Sequence, residues 1–336
     1  MKRKLFGVGI AAAALAFGGF GMSAQAADRA QVTVNLITAP FGTGSYVIGS
    51  ALEQISKKHP WLRIVSSESP GFVYNIKKLD SEPALQKTTI FGSGPVVAAL
   101  AERGEKPFDK KYPAVKLLGN YNSGAIWLAT LNPNIKTVND LQGKKVALGR
   151  APQINWAVEP KAVIEFGYGI PANKINIQYA GPKEAVAALM DGTVDAAVVG
   201  GYLNPEKSQL SLSPQTMEFV ASGRKIQHLG WSADAIEKTR AKGIPINAYT
   251  VPANSIQGLD SPLPVFVDNN AWVASENFPD EYAYEIIKMV IANIDKFAEF
   301  HALGKLMSPG ALVFGWPQEK IHPGALKAYK EAGIIK

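Results

Sequence analysis

From residue 32 onward the chain alternates between two kinds of hydrophobic spacing. Short runs of β-branched and aliphatic residues read as strands buried on both faces. Between them, apolar positions recur every three or four residues, the period of an amphipathic helix. That alternation predicts βα units on a largely parallel sheet. Val32 to Ile37 reads as the first strand. A glycine-rich turn, Gly42-Thr43-Gly44-Ser45, leads into a helix with Val47, Ala51 and Ile55 on one face and Ile48 and Leu52 beside it. A strand over Leu62 to Val65, a short helix over Gly71 to Leu79 and a strand over Thr88 to Phe91 follow. The Gly92-Ser93-Gly94-Pro95 turn then opens a helix through Leu100.

The same order restarts with a strand over Ala125 to Leu131. Thr137 is placed to N-cap a short helix over Val138 to Leu141, and Lys145 to Leu148 reads as a strand ending at Gly149-Arg150. A helix is expected from Gln153 to Phe166, stopped by Gly167. Ile175 to Tyr179 reads as a strand, Pro182 starts a helix carrying Ala185, Val186, Leu189 and Met190, and Val194 to Val199 reads as a buried strand. Leu203 to Leu263 is rich in Ser, Pro and Asn, with one helical pattern from Ser232 to Ala241. Val265 to Ala274 predicts a further strand and Asp280 to His301 a long amphipathic helix, after which Pro309, Pro317 and Pro323 punctuate short elements.

The first 26 residues follow a different rule. Lys2, Arg3 and Lys4 precede an apolar stretch from Leu5 to about Met22, and Ala24-Gln25-Ala26 supplies small residues at the positions a signal peptidase reads. This is the pattern of a cleavable secretory signal peptide, which takes the mature protein out of the cytoplasm, with the periplasm as its expected location. Cleavage after Ala26 would leave 310 of the 336 residues and lower the formal charge from +7 to +4, because the removed segment holds three basic residues and no acidic one. The remaining charge is scattered, so the composition gives no reason to expect a nucleic-acid partner. The absence of cysteine excludes thiolate metal sites and cysteine nucleophiles. His59, His228, His301 and His322 are too far apart to carry metal-ligand spacing, and neither a G-x-S-x-G elbow nor a P-loop is present. No metal and no cofactor are expected. His322, next to Pro323, reads as structural.

Four stretches carry a resemblance to a known family. They are Gly42-Thr43-Gly44-Ser45-Tyr46-Val47-Ile48-Gly49, then Thr137 to Val146 (TVNDLQGKKV), then Glu184 to Ala196 (EAVAALMDGTVDA), and last Ile321 to Gly333 (IHPGALKAYKEAG). The middle two are similar to many two-lobe periplasmic binding proteins. The first and last together resemble the TAXI family, the solute receptors of one class of TRAP transporters. The resemblance implies an α/β, type II-like periplasmic binding protein with a ligand cleft between two Rossmann-like lobes joined by hinge crossovers. It places lobe 1 at residues 27–124 plus 268–336 and lobe 2 at 125–267. It further implies a monomeric receptor, not an enzyme, that captures a carboxylate-bearing solute and delivers it to a TRAP membrane subunit. A receptor for an ABC importer or a signalling system would use the same fold, and a periplasmic enzyme is a remoter alternative.

The physical argument for a site stands beside the resemblance. In open α/β sheets, ligands sit beyond the carboxyl ends of strands, where helix N-termini present free N–H groups and partial positive charge. Three turns fit: Gly42 to Tyr46, Ser69 to Phe72, and Gly149 to Asn155. The expected ligand-binding residues are Gly44, Ser45, Tyr46, Ser69, Gly71, Phe72, Ser93, Trp127, Arg150, Gln153, Asn155 and Tyr202. Arg150 follows a strand end directly and could clamp a carboxylate. Trp127, Trp156, Tyr46, Phe72 and Tyr74 add aromatic surface; if several line the cleft, the ligand is larger or more apolar than glutamate. Gly200-Gly201-Tyr202 and Asn204 could close the site from the second lobe, with Asn269 and Asn270 as hinge or ligand groups. Three stretches depart from the family: Ser69-Pro70-Gly71-Phe72-Val73-Tyr74-Asn75, Gly149-Arg150-Ala151-Pro152-Gln153-Ile154-Asn155-Trp156, and Leu203 to Leu263, which matches poorly.

Overall fold

The structure is a computed structural model that describes residues 30–150 and 153–336; the expected signal peptide, 1–26, lies outside them. The first module runs β1 (Val32–Ile37), α1 (Gly44–Ser56), β2 (Leu62–Ser67), α2 (Phe72–Ser81), β3 (Thr89–Ser93) and α3 (Pro95–Arg103). β1 lies between β2 and β3 and is parallel to both. Val34 and Leu36 of β1, Ile48, Leu52 and Ile55 of α1, and Leu62 and Ile64 of β2 pack into its core. Truncating Leu52, which is fully buried, to alanine would cost about 2–5 kcal/mol.

β4 (Val115–Thr130) is much longer than its sequence suggests. The second module adds β5 (Lys145–Leu148), α4 (Glu159–Ala162), β6 (Asn176–Tyr179), α5 (Pro182–Met190) and β7 (Ala196–Asn204). The Ser/Pro/Asn-rich stretch holds more order than expected: β8 (Gln209–Leu212), α6 (Pro214–Ala221), β9 (Gln227–Leu229), α7 (Ala233–Ala241) and β10 (Asn247–Val251). β11 (Leu263–Ser275), α8 (Asp280–Ala292), α9 (Phe297–Phe300) and α10 (Pro323–Glu331) complete the chain.

Along the sheet the strand order is β2-β1-β3-β11-β4-β7-β5-β6. The two long antiparallel strands β4 and β11 join its halves. The early residues of β11 pair with β10 and its late residues with β3. The late residues of β4 pair with β7. Both strands thus pass from one α/β half to the other, giving a two-lobed α/β architecture on a curled sheet. Two register shifts mark the passage, between Asn270 and Ala271 and between Trp272 and Val273. At the first, Tyr121 is the extra residue opposite β11, a β-bulge that reverses which face the neighbouring asparagines occupy.

Two predicted helices are irregular for local reasons. The Gln153–Phe166 helix is α-helical only over α4, with wider π turns at Ile154–Val158 and Val163–Gly167. Pro160 has no N–H to return to the Trp156 carbonyl, and Gly149 N–H takes that carbonyl instead at 2.7 Å. The Asp280–His301 helix stops at Ala292, where the Asn293 side chain donates to the Met289 carbonyl at 2.8 Å. His322 is structural, as expected: it is fully buried, its Nε2 meets the Phe278 carbonyl at 3.0 Å, and its Nδ1 accepts from Gly324 N at the start of α10. Among the described residues, no helix is long and apolar enough to cross a membrane.

Candidate functional site

The carboxyl ends of β1, β2 and β5 open onto one cavity of about 570 Å³, bounded on its far side by β4, β7 and β11. Each strand–helix turn contributes a short segment: Ala39, Pro40 and Thr43 to Ser45 after β1, Pro70 to Tyr74 after β2, and Arg150 with Gln153 to Trp156 after β5. Asn122, Gly124 and Ile126 of β4, Gly201 and Tyr202 of β7, and Asn270 of β11 supply the floor.

The turn before α1 caps only part of its helix end. Thr43 caps α1 by accepting from Tyr46 N, while its own hydroxyl donates to the Pro40 carbonyl at 2.8 Å. No acidic side chain occupies the first turn of α1 or α2, so neither positive helix end is neutralised from within. Gly71 adopts a φ of +131°, a region that excludes a side chain, and its N–H is held by the Ser69 hydroxyl. Asn75 fixes α2 from below, donating to the Thr38 and Gly92 carbonyls at 2.7 and 2.9 Å.

The floor carries the polar groups. Asn122 and Asn270 face each other across β4 and β11, and Asn270 Nδ2 donates to Asn122 Oδ1 at 2.7 Å. Asn122 Nδ2 is buried and has no hydrogen-bond partner. A Cβ placed on Gly44 would sit 3.3 Å from that nitrogen and 3.8 Å from the Tyr202 hydroxyl, so the start of α1, the Asn122 amide and Tyr202 converge on one spot. Burial raises the Tyr202 phenol above its ordinary value and keeps it a neutral donor. The rest of the wall is largely apolar, with Phe72, Val73, Ile126, Ile154 and Trp156 on facing sides.

Behind the floor lies a buried pair of acids. Asn155 Nδ2 donates to Asp268 Oδ2 at 3.3 Å. Asp268 in turn meets the carboxyl of Glu159, which is fully buried and faces no donor on either oxygen. Burial and the like charge of the neighbour oppose ionisation of both carboxyls together, which favours a proton held on the pair. Burial, reinforced by the Asp268 charge, pushes Glu159 well above the carboxylate range. Burial also raises Asp268, against hydrogen bonds from Glu159, from the Asn269 and Val96 backbone and from Asn155. Among the described residues, no three acidic or histidine side chains converge to hold a metal ion.

The structure brings Gly44, Ser45, Gly71, Phe72, Arg150, Gln153, Asn155 and Tyr202 to the cavity wall, with Trp156 and Tyr74. Four expected residues are placed elsewhere. Tyr46 packs on Phe41 with ring centroids 5.0 Å apart. Ser69 is buried and spends its hydroxyl on the Thr38 carbonyl and Gly71 N. Ser93 is fully buried within β3. Trp127 is fully buried in the core, its indole donating to His228 Nδ1 at 3.0 Å; burial holds that histidine down to about 4. Arg150 stands at the rim, 69% exposed in its side chain, with Glu184 3.9 Å away. Asn204 turns from the cavity to Ser308, and Asn269 to the Phe314 carbonyl. Sequence reasoning missed Asn122, Gly124 and Ile126, and the Glu159–Asp268 pair. The spacing of Asn122, Gly124 and Ile126 at every second residue is a strand signal, masked by the loop-like composition of Gly119 to Gly124.

Several solved structures resemble this chain. A TctC solute binding protein from Polaromonas superposes with a TM-score of 0.52 at 12% identity, covering 90% of this chain and 98% of that chain. The periplasmic aliphatic sulphonate binding protein SsuA from Escherichia coli gives 0.47 at 16% identity, over 90% of this chain and 84% of that chain. Rpa4515 from R. palustris, solved with adipate, gives 0.49 at 13% identity, over 90% and 93% respectively. The fold is that of the two-lobe solute-binding proteins. The model of the NMT1-like family matches residues 36–333, and the chain belongs to that family.

Proposed function

We propose that this protein is a periplasmic receptor that captures a small organic anion between its lobes and hands it to a membrane permease. The observation that carries the reading is the convergence of the α1 N-terminus, which has no acidic side chain in its first turn, with the unpartnered Asn122 amide and the Tyr202 hydroxyl. Three donors around one spot in a largely apolar cavity suit an anionic head on an apolar body. A cavity of about 570 Å³ takes a ligand larger than glutamate, and Phe72 and Trp156 supply surface for an aromatic or aliphatic part.

The lobes are proposed as residues 27–124 plus 268–336 and residues 125–267, with boundaries where β4 and β11 cross between the two halves of the sheet. Ligand contacts from both sides would favour a closed arrangement of these lobes. The TAXI-like stretches at Gly42 to Gly49 and Ile321 to Gly333 support a TRAP-type permease as the partner. Export rests on the signal-like segment 1–26, and the likeness to a TctC solute binding protein supports a receptor rather than an enzyme.

Native mass spectrometry of the protein purified without denaturation tests the reading. A co-purified organic anion, rebound by the stripped protein in calorimetry, is the expected result. A neutral or cationic ligand, or turnover of the bound compound, would overturn it.

A further inference from the structure

Ser45, in the first turn of α1, lines the cavity with only 8% of its surface exposed. Behind it stands Tyr121, the bulge residue of β4, fully buried with its ring 5.2 Å from that of Trp272. The Tyr121 hydroxyl donates to Ser45 Oγ at 2.8 Å. Burial pushes the phenol well above its ordinary value, so it keeps its proton. Among the described residues, only Ser45 Oγ receives that proton. Reversing the bond would leave a phenol proton buried without an acceptor, so its direction is fixed. A serine hydroxyl has one proton to give and two lone pairs to receive with. Tyr121 occupies a lone pair, and the Ser45 proton is turned away from the core. Among the described residues, no acceptor meets that proton, and none meets the Gly44 or Ser45 backbone N–H beside it. Gly92 of β3 makes the room, since a Cβ there would stand 2.9 Å from both Ser45 Oγ and the Phe72 ring.

We infer that Ser45 donates directly to the anionic head of the ligand, and that Tyr121 is a positioning residue that aims the Ser45 proton at it, a role that rests on the anion-receptor reading of the cavity. A serine free to rotate would also present lone pairs to the anion. The bond from Tyr121 removes that orientation before the ligand arrives, so less ordering is left to binding. The aim matters most for a charged acceptor, because a hydrogen bond to an anion is roughly twice as strong as one to a neutral oxygen. An aimed hydroxyl therefore favours an acid over the neutral amide of the same shape. The β-bulge serves this arrangement. By adding Tyr121 opposite β11, it brings two consecutive residues to one seat: Tyr121 behind it, acting through Ser45, and Asn122 beside it, with its unpartnered N–H group near Gly44. Tyr121 thus shapes the affinity of the receptor from within the core.

Calorimetry on the purified protein, stripped of ligand, with 3-phenylpropanoate, octanoate and the neutral 3-phenylpropanamide tests both roles. Ser45→Ala should weaken the acids at least about tenfold, as the loss of one hydrogen bond to a charged group predicts. Tyr121→Phe keeps the ring and should weaken the acids severalfold and the amide less, since only the aim of the proton is lost. In a Ser45→Ala background the same change at Tyr121 should leave affinity for the acids nearly unaltered. Unfolding midpoints read the pair without ligand. Ser45→Ala leaves the Tyr121 proton without an acceptor and should lower the midpoint by a few degrees, and adding Tyr121→Phe should recover most of that loss. Unchanged acid binding in Ser45→Ala, a Tyr121→Phe loss that is the same with and without Ser45, or an equal loss for acids and amide overturns the aimed donor while leaving the anion reading intact. Binding of the amide as tightly as the acids by the unaltered protein, or of neither acid, overturns the anion reading itself.

Discussion

Asn155 donates from the cavity wall to Asp268 across 3.3 Å, and behind it Asp268 meets the buried carboxyl of Glu159. The first residue lies after β5 and the second where β11 crosses between the halves of the sheet, so the wall of the site is tied to the crossing beside a buried pair of acids whose joint ionisation burial opposes. A pH dependence follows, with a definite sign. Both carboxyls have folded pKa values above the ordinary ones. Their stabilising contribution is therefore complete below the usual carboxylate range, near about 4, and is lost as pH rises through the raised values. Glu159→Gln offers Asp268 an amide N–H at every pH. The stability of this variant should fall less steeply than that of the parent between pH 5 and 8, by up to about 1.4 kcal/mol per pH unit at the steepest point. His228 and His322, both lowered by burial, contribute the opposite slope below about pH 6.5, but equally in both proteins. Thermal unfolding midpoints across this range would check it, and parallel curves would mean that no proton is shared.

Gly44 tests the anion seat directly. Its backbone is not in the left-handed region, and a Cβ there would press on the flexible end of Leu303 at 3.0 Å and stand 3.3 Å from Asn122 Nδ2. Gly44→Ala should therefore keep the fold, with its unfolding midpoint within a few degrees of the parent, while the methyl occupies the space beside the unpartnered amide. Affinity for the co-purified ligand should drop at least tenfold (about 1.4 kcal/mol) in calorimetry. Unchanged affinity would remove the start of α1 from the site.

Much of the site is readable in the sequence because the turns announce themselves. Gly42 to Ser45 and Gly149 to Asn155 each follow an apolar run and precede a helical period, which places them at the carboxyl ends of strands. The floor is not readable in the same way. Gly119-Asn120-Tyr121-Asn122-Ser123-Gly124 has the composition of a loop, yet it is the middle of β4, with β11 on one side and, from Ser123 on, β7 on the other. Tertiary pairing overrides a weak local preference there. The bulge at Tyr121 then sends Asn122 to the cavity while Asn120 bonds the Ala311 and Phe314 carbonyls. No one-dimensional period carries that reversal. Trp127 shows the converse limit, since an aromatic near a promising turn was core-facing, and only the strand's orientation distinguishes the two outcomes. Glu159 looks like an ordinary surface acid until Pro160 and the wide turn around it are seen to bury it.

Arg150 calls for a smaller effect than its position after β5 suggests. Its guanidinium is largely exposed and only 3.9 Å from Glu184, so water and salt screen whatever charge it offers a ligand. Arg150→Ala should weaken binding of the co-purified anion by less than about tenfold near physiological ionic strength, with a larger loss in low salt. A loss that is large and insensitive to salt would instead place the guanidinium in direct contact with the bound anion.

The last prediction concerns contact between the proposed lobes. Asn204 at the end of β7 donates to Ser308 Oγ at 2.8 Å, the Ser308 hydroxyl donates to Glu206 Oε2 at 2.5 Å, and Gly310 N reaches the same oxygen at 3.0 Å. Residues 204 and 206 belong to the proposed second lobe, while 308 and 310 follow α9, which packs on α1 in the first. A carboxylate with two donors from the opposite lobe resists separation, though its exposure limits the contribution to about 1 kcal/mol. Glu206→Ala should raise the radius of gyration of the ligand-free protein in solution scattering and speed amide exchange at residues 204–212 and 307–313. It should also weaken the co-purified ligand severalfold, because closure would then proceed without this bridge. Glu206→Gln, which keeps one acceptor oxygen, should fall between the two. If scattering and exchange match the parent in both variants, the bridge plays no part in holding the lobes together, and closure depends on the ligand and the crossing strands alone.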